Sequence, residues 1–301
     1  MAKLAMIGLG KMGINLTENL IRNNNEVVAF DLNESSVEEA GQKGAITAKS
    51  LEDAISKLET PKIVWVMLPA GAPTNNTIES LSKLLSKDDI VIDGGNSFYK
   101  DSLEHNNILS AKDINFFDVG TSGGMSGANH DGNFMIGGDK EEIFETYLKP
   151  IFEGIAQKNG YLYTEPAGSG HYLKMVHNGI EYGMMQSIGE GFEILEKSQF
   201  DYDNEAVARV WSNGSVVRSW LMELAESAFA KDGNLDDIKG VMHSSGEGRW
   251  TLDESLNLQV AAPVIAMSLI MRYRSQEDDT FTGKVVAALR NEFGGHEVDK
   301  K

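Results

Sequence analysis

A hexapeptide carrying three glycines, Gly8-Leu9-Gly10-Lys11-Met12-Gly13, follows directly on the apolar run Leu4-Ala5-Met6-Ile7 and opens an amphipathic segment. No other feature constrains the fold as strongly. A glycine-rich turn that closes a buried strand and starts a helix predicts the first unit of a strand–helix–strand repeat. The next 150 or so residues agree. Short β-rich runs at 4–7, 27–30, 63–68, 90–92 and 116–119 alternate with helical patterns near 12–23, 34–43, 50–58, 73–86 and 101–111. Runs apolar on both faces are the mark of parallel strands covered by helices, so the expected architecture is a Rossmann-type, doubly wound parallel sheet. Further runs at 133–136 and 161–163 extend it.

Each residue of the glycine turn has a physical task in dinucleotide binding. Gly8 permits the tight turn, Gly10 lets the backbone approach a pyrophosphate, and Gly13 allows close helix–strand packing. The helix N-terminus beyond it offers N–H groups and a positive dipole end to phosphates. Asp31 closes the second β-rich run, where an acid accepts hydrogen bonds from a ribose diol and repels a 2′-phosphate. Leu32 and Asn33 beside it supply no cation, so the expected cofactor is NAD. Three further loops fall at the same sheet edge: Met67-Leu68-Pro69, Asp93-Gly94-Gly95-Asn96-Ser97 and Gly120-Thr121-Ser122-Gly123-Gly124. Asn96 can donate and accept toward hydroxyls, and the Ser122 hydroxyl with the glycine N–H groups can form an anion-binding nest.

After Pro166 the texture changes. Strand signals nearly vanish, and helical patterns run over 169–197, 203–212, 215–230, 235–242, 249–259, 263–275 and 282–293. Residues 1–166 are therefore expected to form a dinucleotide-binding domain and 167–301 an all-helical one. On the first of these helices Lys174, His177, Asn178, Glu181 and Tyr182 share one face, while their neighbours are small or apolar. A buried polar stripe inverts the usual surface helix, and a lysine with a carboxylate two turns apart could act as base and acid on one substrate. The bland alternative is a solvated face. A metal site through His177 and Glu181 lacks further ligands, so no metal is expected.

Composition narrows the partners. With 27 basic and 45 acidic residues the formal net charge is −18, which disfavours nucleic acid and anionic membrane. The absence of cysteine excludes thiol catalysis and disulfides. The N-terminal apolar run meets glycine at once, unlike a signal peptide, so a cytoplasmic location is expected.

Together the motifs GLGKMG, DGGNS, GTSGG and GSGHYLKMVHNGIEYGMMQ resemble those of the decarboxylating 6-phosphogluconate dehydrogenases, within the β-hydroxyacid dehydrogenase superfamily. The chain is similar to the short, NAD-linked form. What the resemblance implies is oxidative decarboxylation of 6-phosphogluconate, in the pentose phosphate pathway or gluconate use. It assigns Lys174 as general base at the C3 hydroxyl and Glu181 as the acid that protonates C1. Asn96, Ser122, Gly123, Gly124, His177 and Asn178 would orient the sugar acid, and Tyr182 would hold its phosphate. Gly8 to Gly13, Asp31, Met67, Leu68 and Asn96 would contact the cofactor. Arg274 matches a phosphate arginine, with Arg272 as its substitute, and Arg290 with His296 matches a closing segment that enters a neighbouring subunit's site. That implies a homodimer or homotetramer. Ser245 and Glu247 stand where the family places a lysine and a threonine on phosphate. Two other readings remain: an NAD-dependent dehydrogenase of another β-hydroxyacid, and a non-catalytic NAD-binding regulator.

Overall fold

The computed structural model describes residues 2–300 and divides into two compact units, Met1–His177 and Asn178–Lys301. In the first unit each apolar run becomes a strand and each amphipathic run a covering helix. The chain opens β1 (Lys3–Ile7), α1 (Lys11–Arg22), β2 (Glu26–Phe30), α2 (Glu34–Gln42), β3 (Ile46–Thr47) and α3 (Leu51–Ser56). It continues β4 (Ile63–Val66), α4 (Ala72–Leu84), β5 (Ile90–Asp93), α5 (Tyr99–Ser110), β6 (Asn115–Ser122), α6 (Gly124–Asn129) and β7 (Gly132–Gly138). Helices α7 (Glu141–Ile143) and α8 (Lys149–Ile155), joined by a π-helical turn, lead to β8 (Ala156–Thr164).

The strands form one sheet in the order β3-β2-β1-β4-β5-β6-β7-β8. The order reverses between β1 and β4, and such a switch point opens a ligand crevice at the carboxyl ends of the strands. Alternation along β1 shows how both faces are buried: Leu4 and Met6 join one core layer, Ala5 and Ile7 the other. One expectation is corrected here. The sheet is not wholly parallel, because β7 runs antiparallel to β6. A parallel return needs a crossover of a dozen or more residues, and the link from Ser122 to Gly132 is shorter than that. The two-residue β3 was also unforeseen.

The second unit holds the rest of α9 (Ser169–Glu196), then α10 (Asn204–Ser212), α11 (Trp220–Phe229), α12 (Glu247–Asn257), α13 (Pro263–Arg274) and α14 (Phe281–Gly294). Among its described residues there is no strand. Phe192, Ala208, Met222 and Phe229 form its buried core. Helix α11 starts later than the periodicity suggests, because Ser219 caps it by accepting the Met222 N–H. The helix expected at 235–242 is absent. There the Asp232 carboxylate accepts the N–H groups of Asn234 and Asp237, and Leu235 adopts φ +55°, so local side-chain bonding outcompetes the helix. The two compact units divide within α9, after His177. No described helix is long and apolar enough to cross a membrane.

Candidate active site

Gly8, φ +100°, turns the chain out of β1 so tightly that a Cβ there would lie 2.4 Å from the Met67 carbonyl oxygen. A Cβ on Gly13 would lie 2.1 Å from the Gly8 carbonyl oxygen, whereas one on Gly10 would meet nothing within 4 Å. The turn is thus closed against the protein at Gly8 and Gly13 and open at Gly10. Helix α1 begins there with no side-chain cap and no acid in its first turn, which leaves its N–H groups and dipole available to an anion. Asp31, just past β2, faces the same turn: one carboxylate oxygen accepts the Leu9 N–H at 2.7 Å, the other the Asn33 N–H at 2.8 Å. Leu32 is 93% exposed. An open glycine, an uncapped helix start and an anchored acid fit a dinucleotide's pyrophosphate and ribose.

The loop after β5 is held from beneath. Asp93 is fully buried, and its Oδ1 accepts the Gly95 N–H at 3.1 Å. Burial alone would raise its pKa, but the imidazole of His105, 3.7 Å away, and that of His171 more than offset this and hold it below the usual carboxylate value. Gly95 packs on the Leu68 carbonyl, so the loops carrying Leu68 and Asn96 are fixed to each other. Asn96 itself is exposed.

Two groups unremarked in the sequence fix the start of α9. The buried Asp118 of β6 accepts the Gly168 N–H at 2.6 Å and the His171 N–H at 2.7 Å. It thereby satisfies donors that a helix start leaves over. His171 in turn lies 2.7 Å from the Ser102 hydroxyl. Burial raises the Asp118 pKa, partly countered by His171 and the two N–H groups. A charged residue within the apolar run Phe116-Phe117-Asp118-Val119 was the available signal.

One turn beyond this cap, Lys174 is 9% exposed and lies on β6, close enough that a Cβ on Gly120 would be 2.3 Å from its own Cβ. His177 Nε2 is 3.2 Å from the Ser122 hydroxyl, which unites two residues read separately from the sequence. Gly123 (φ +98°) and Gly124 (φ +58°) turn the chain beside them.

Within the second unit, the stripe continues with Asn178 and Tyr182 buried and Glu181 half-buried. Along residues 173–184 the usual pattern is inverted, for the exposed positions there are apolar: Leu173, Ile180 and Met184. The Tyr182 hydroxyl accepts the Ser245 N–H at 3.2 Å, and its ring carries the Arg272 guanidinium at 3.6 Å. Arg272 also donates to the His243 carbonyl at 2.7 Å. Tyr182, Ser245 and Arg272 are thus grouped. Arg274 is not among them, being exposed and turned to the Glu277 carbonyl. Two residues along a helix swing a side chain by about 200°, so only one of the two arginines can face Tyr182. Glu247 is buried against Asn178 rather than presented beside Tyr182. Arg290 and His296 are exposed, and α14 has no buried residue.

Comparison with known proteins matches this arrangement along the whole chain. Residues 3–164 match the family model of the NAD binding domain of 6-phosphogluconate dehydrogenase, and residues 170–300 that of its C-terminal domain. YqeC of Bacillus subtilis (strain 168), provisionally named a 6-phosphogluconate dehydrogenase, is 58% identical over 99% of this chain and 100% of its own length. An NAD(+)-dependent, decarboxylating 6-phosphogluconate dehydrogenase of Haloferax volcanii is 41% identical over 99% of each chain. Among solved structures, Plasmodium falciparum 6-phosphogluconate dehydrogenase, described with NADP+ and with 6-phosphogluconate, superimposes with a TM-score of 0.82 at 28% identity. That match covers 99% of this chain and 66% of the other. A glycine turn closed at two positions and open at the third, a lysine laid on the β6 glycine and full-length relatives agree: the chain belongs to the 6-phosphogluconate dehydrogenase family.

Proposed function

We propose that this protein oxidises and decarboxylates 6-phosphogluconate to ribulose 5-phosphate and CO2, with NAD as its cofactor. The observation that carries the reading is the inverted stripe of α9, with Lys174 buried on β6 and apolar side chains turned outward. NAD, when bound, supplies the hydride acceptor for C3 of the substrate. Lys174 takes the proton of the C3 hydroxyl as the carbonyl forms. The resulting β-keto acid loses its carboxyl group as CO2, and the Lys174 ammonium then donates to the enolate oxygen, where negative charge develops. Glu181 delivers a proton to C1 of the enediol. Ser122, His177, Asn178 and Asn96 orient the hydroxyls. A phosphate-bearing substrate, rather than an unphosphorylated β-hydroxyacid, is favoured by the grouping of Tyr182, Ser245 and Arg272 in an otherwise acidic chain. The test is NADH absorbance together with CO2 release on 6-phosphogluconate and on unphosphorylated β-hydroxyacids. A chain active only on the latter would overturn the proposal.

NAD over NADP rests on Asp31, whose carboxylate is anchored at the glycine turn with no cation at 32 or 33. Asp31→Ala is expected to weaken NAD binding by about 1–3 kcal/mol, the scale of hydrogen bonds to a charged group. Titration of intrinsic fluorescence measures it. A wild type that uses NADP more efficiently than NAD would refute the assignment.

A homodimer or homotetramer is supported by apolar surface that one chain leaves exposed. Phe281, Val285, Leu289 and Phe293 form an i, i+4 stripe along α14. A groove of about 500 Å³ is lined by Ile180, Met184, Ile188, Val217, Val264 and Ile265. In the proposed assembly, Arg290 of the partner subunit grips the substrate phosphate bidentately, with His296 of the partner subunit beside it. Inactive Lys174→Met and inactive Arg290→Ala subunits, mixed, are then expected to regain partial activity, since one class of mixed site keeps both groups. No recovery in demonstrated mixed oligomers would confine α14 to a structural role.

A further inference from the structure

We infer that Glu247 is a positioning residue that decides which end of the Asn178 amide is presented to the substrate. The inference rests on the proposed role of Asn178 as a substrate-orienting group. A carboxylate at 247 is unwelcome beside a substrate with two anionic ends, yet Glu247 stands there, only 2% exposed, with Oε1 accepting a hydrogen bond from Asn178 Nδ2 at 3.1 Å.

The surroundings build this contact. Glu247 is the first residue of α12, and that helix end favours negative charge. Thr251, one turn on, donates its hydroxyl to the Glu247 carbonyl at 2.8 Å. Its side chain occupies the space beside Gly179, where a Cβ would lie 2.7 Å away. Gly248 likewise sits on the Tyr182 ring, 2.6 Å from where its Cβ would be. The first turn of α12 is thus pressed onto the turn of α9 that carries Asn178, and any larger residue at 179 or 248 would push the carboxylate away.

The chemistry follows from the difference between an amide and a carboxylate. An asparagine has a donating end and an accepting end of nearly the same shape, and either can face a ligand. A carboxylate only accepts. Facing Glu247, Asn178 must turn its NH2 inward and keep its Oδ1 on the opposite side. An accepting oxygen suits a hydroxyl hydrogen and repels a carboxylate or phosphate. Glu247 therefore directs Asn178 to the hydroxyl-bearing middle of the sugar acid without touching it.

The pair can be exchanged to test this. Glu247→Gln replaces an obligate acceptor with a group that tolerates either amide orientation, and is expected to lower kcat/KM for 6-phosphogluconate on the order of tenfold, the NAD affinity being unchanged. Asn178→Asp sets two carboxylates face to face and is expected to lower it by roughly 100-fold. The double exchange, Asn178→Asp with Glu247→Gln, again sets one donor against one acceptor and again presents an oxygen outward. It is expected to regain about tenfold over Asn178→Asp alone, a positive coupling that two independent losses cannot give. Additive losses in an enzyme whose wild type turns over 6-phosphogluconate would overturn this inference alone. A wild type with no such turnover would overturn the functional proposal, and this inference with it.

Discussion

Replacing Lys174 with methionine will abolish NADH formation from 6-phosphogluconate while leaving NAD bound. Methionine keeps the length of the aliphatic stem that lies on Gly120, so the packing of α9 on β6 survives. What disappears is the group proposed to accept the hydroxyl proton and then to donate to the enolate. Loss of a general base alone costs about 10²–10⁴-fold. Removing the donor to the developing oxyanion adds a further loss, commonly about 10²–10³-fold for one such donor. Glu181→Gln separates the two proton transfers, for it leaves the oxidation intact and retards only the protonation of C1. In a single-turnover experiment it is expected to give a normal burst of NADH and a slow release of ribulose 5-phosphate. Near-normal NADH production by Lys174→Met would sink the assignment of the base.

The second large effect is on stability. Asp118→Ala removes the acceptor of two buried N–H groups, those of Gly168 and His171, at the point where α9 leaves the sheet. Each buried donor left unpaired costs about 1–3 kcal/mol, so the variant is expected to lose roughly 2–6 kcal/mol. Asp118→Asn keeps one acceptor and is expected to lose about half as much. Urea unfolding followed by circular dichroism measures both. A loss under about 0.5 kcal/mol, the range of an unremarkable surface substitution, would show that water can replace the cap.

How much of this was legible beforehand depended on the range of the interactions. Strands β1, β2, β4, β5 and β6 could be read because burial on both faces forces an unbroken apolar run, which is a local signal. The direction of β7 could not, since it follows from the length of one connection rather than from its own residues. Among the candidate site groups, Gly8, Gly13, Lys174 and Tyr182 stood out through spacing and context. The contacts of Asp118 and Glu247 did not, because the partners lie 50 or more residues away in sequence. For a single chain, such a bond leaves only the trace of a polar residue in an awkward place: a carboxylate in an apolar strand, or an acid beside an anion site. Arg272 and Arg274 illustrate the limit of helical periodicity. Both suit a phosphate equally as residues, and only the packing of α13 decides which one faces Tyr182.

Helix α9 runs unbroken from Ser169 to Glu196, and the proposed proton acceptor, Lys174, and the proposed proton donor, Glu181, stand on it like two cams on one shaft. Their angular phase is set by nothing but the count of residues between them. One residue inserted after Asn178 would rotate everything beyond it by about 100°, carrying Glu181 and Tyr182 off the face that Lys174 occupies. Substitutions along this segment grade from mild to severe according to what they touch, whereas single insertions and deletions have no mild form. The spacing of 174 to 182 is therefore a coordinate of the proposed chemistry in its own right, and the stretch of chain where length is expected to tolerate the least drift.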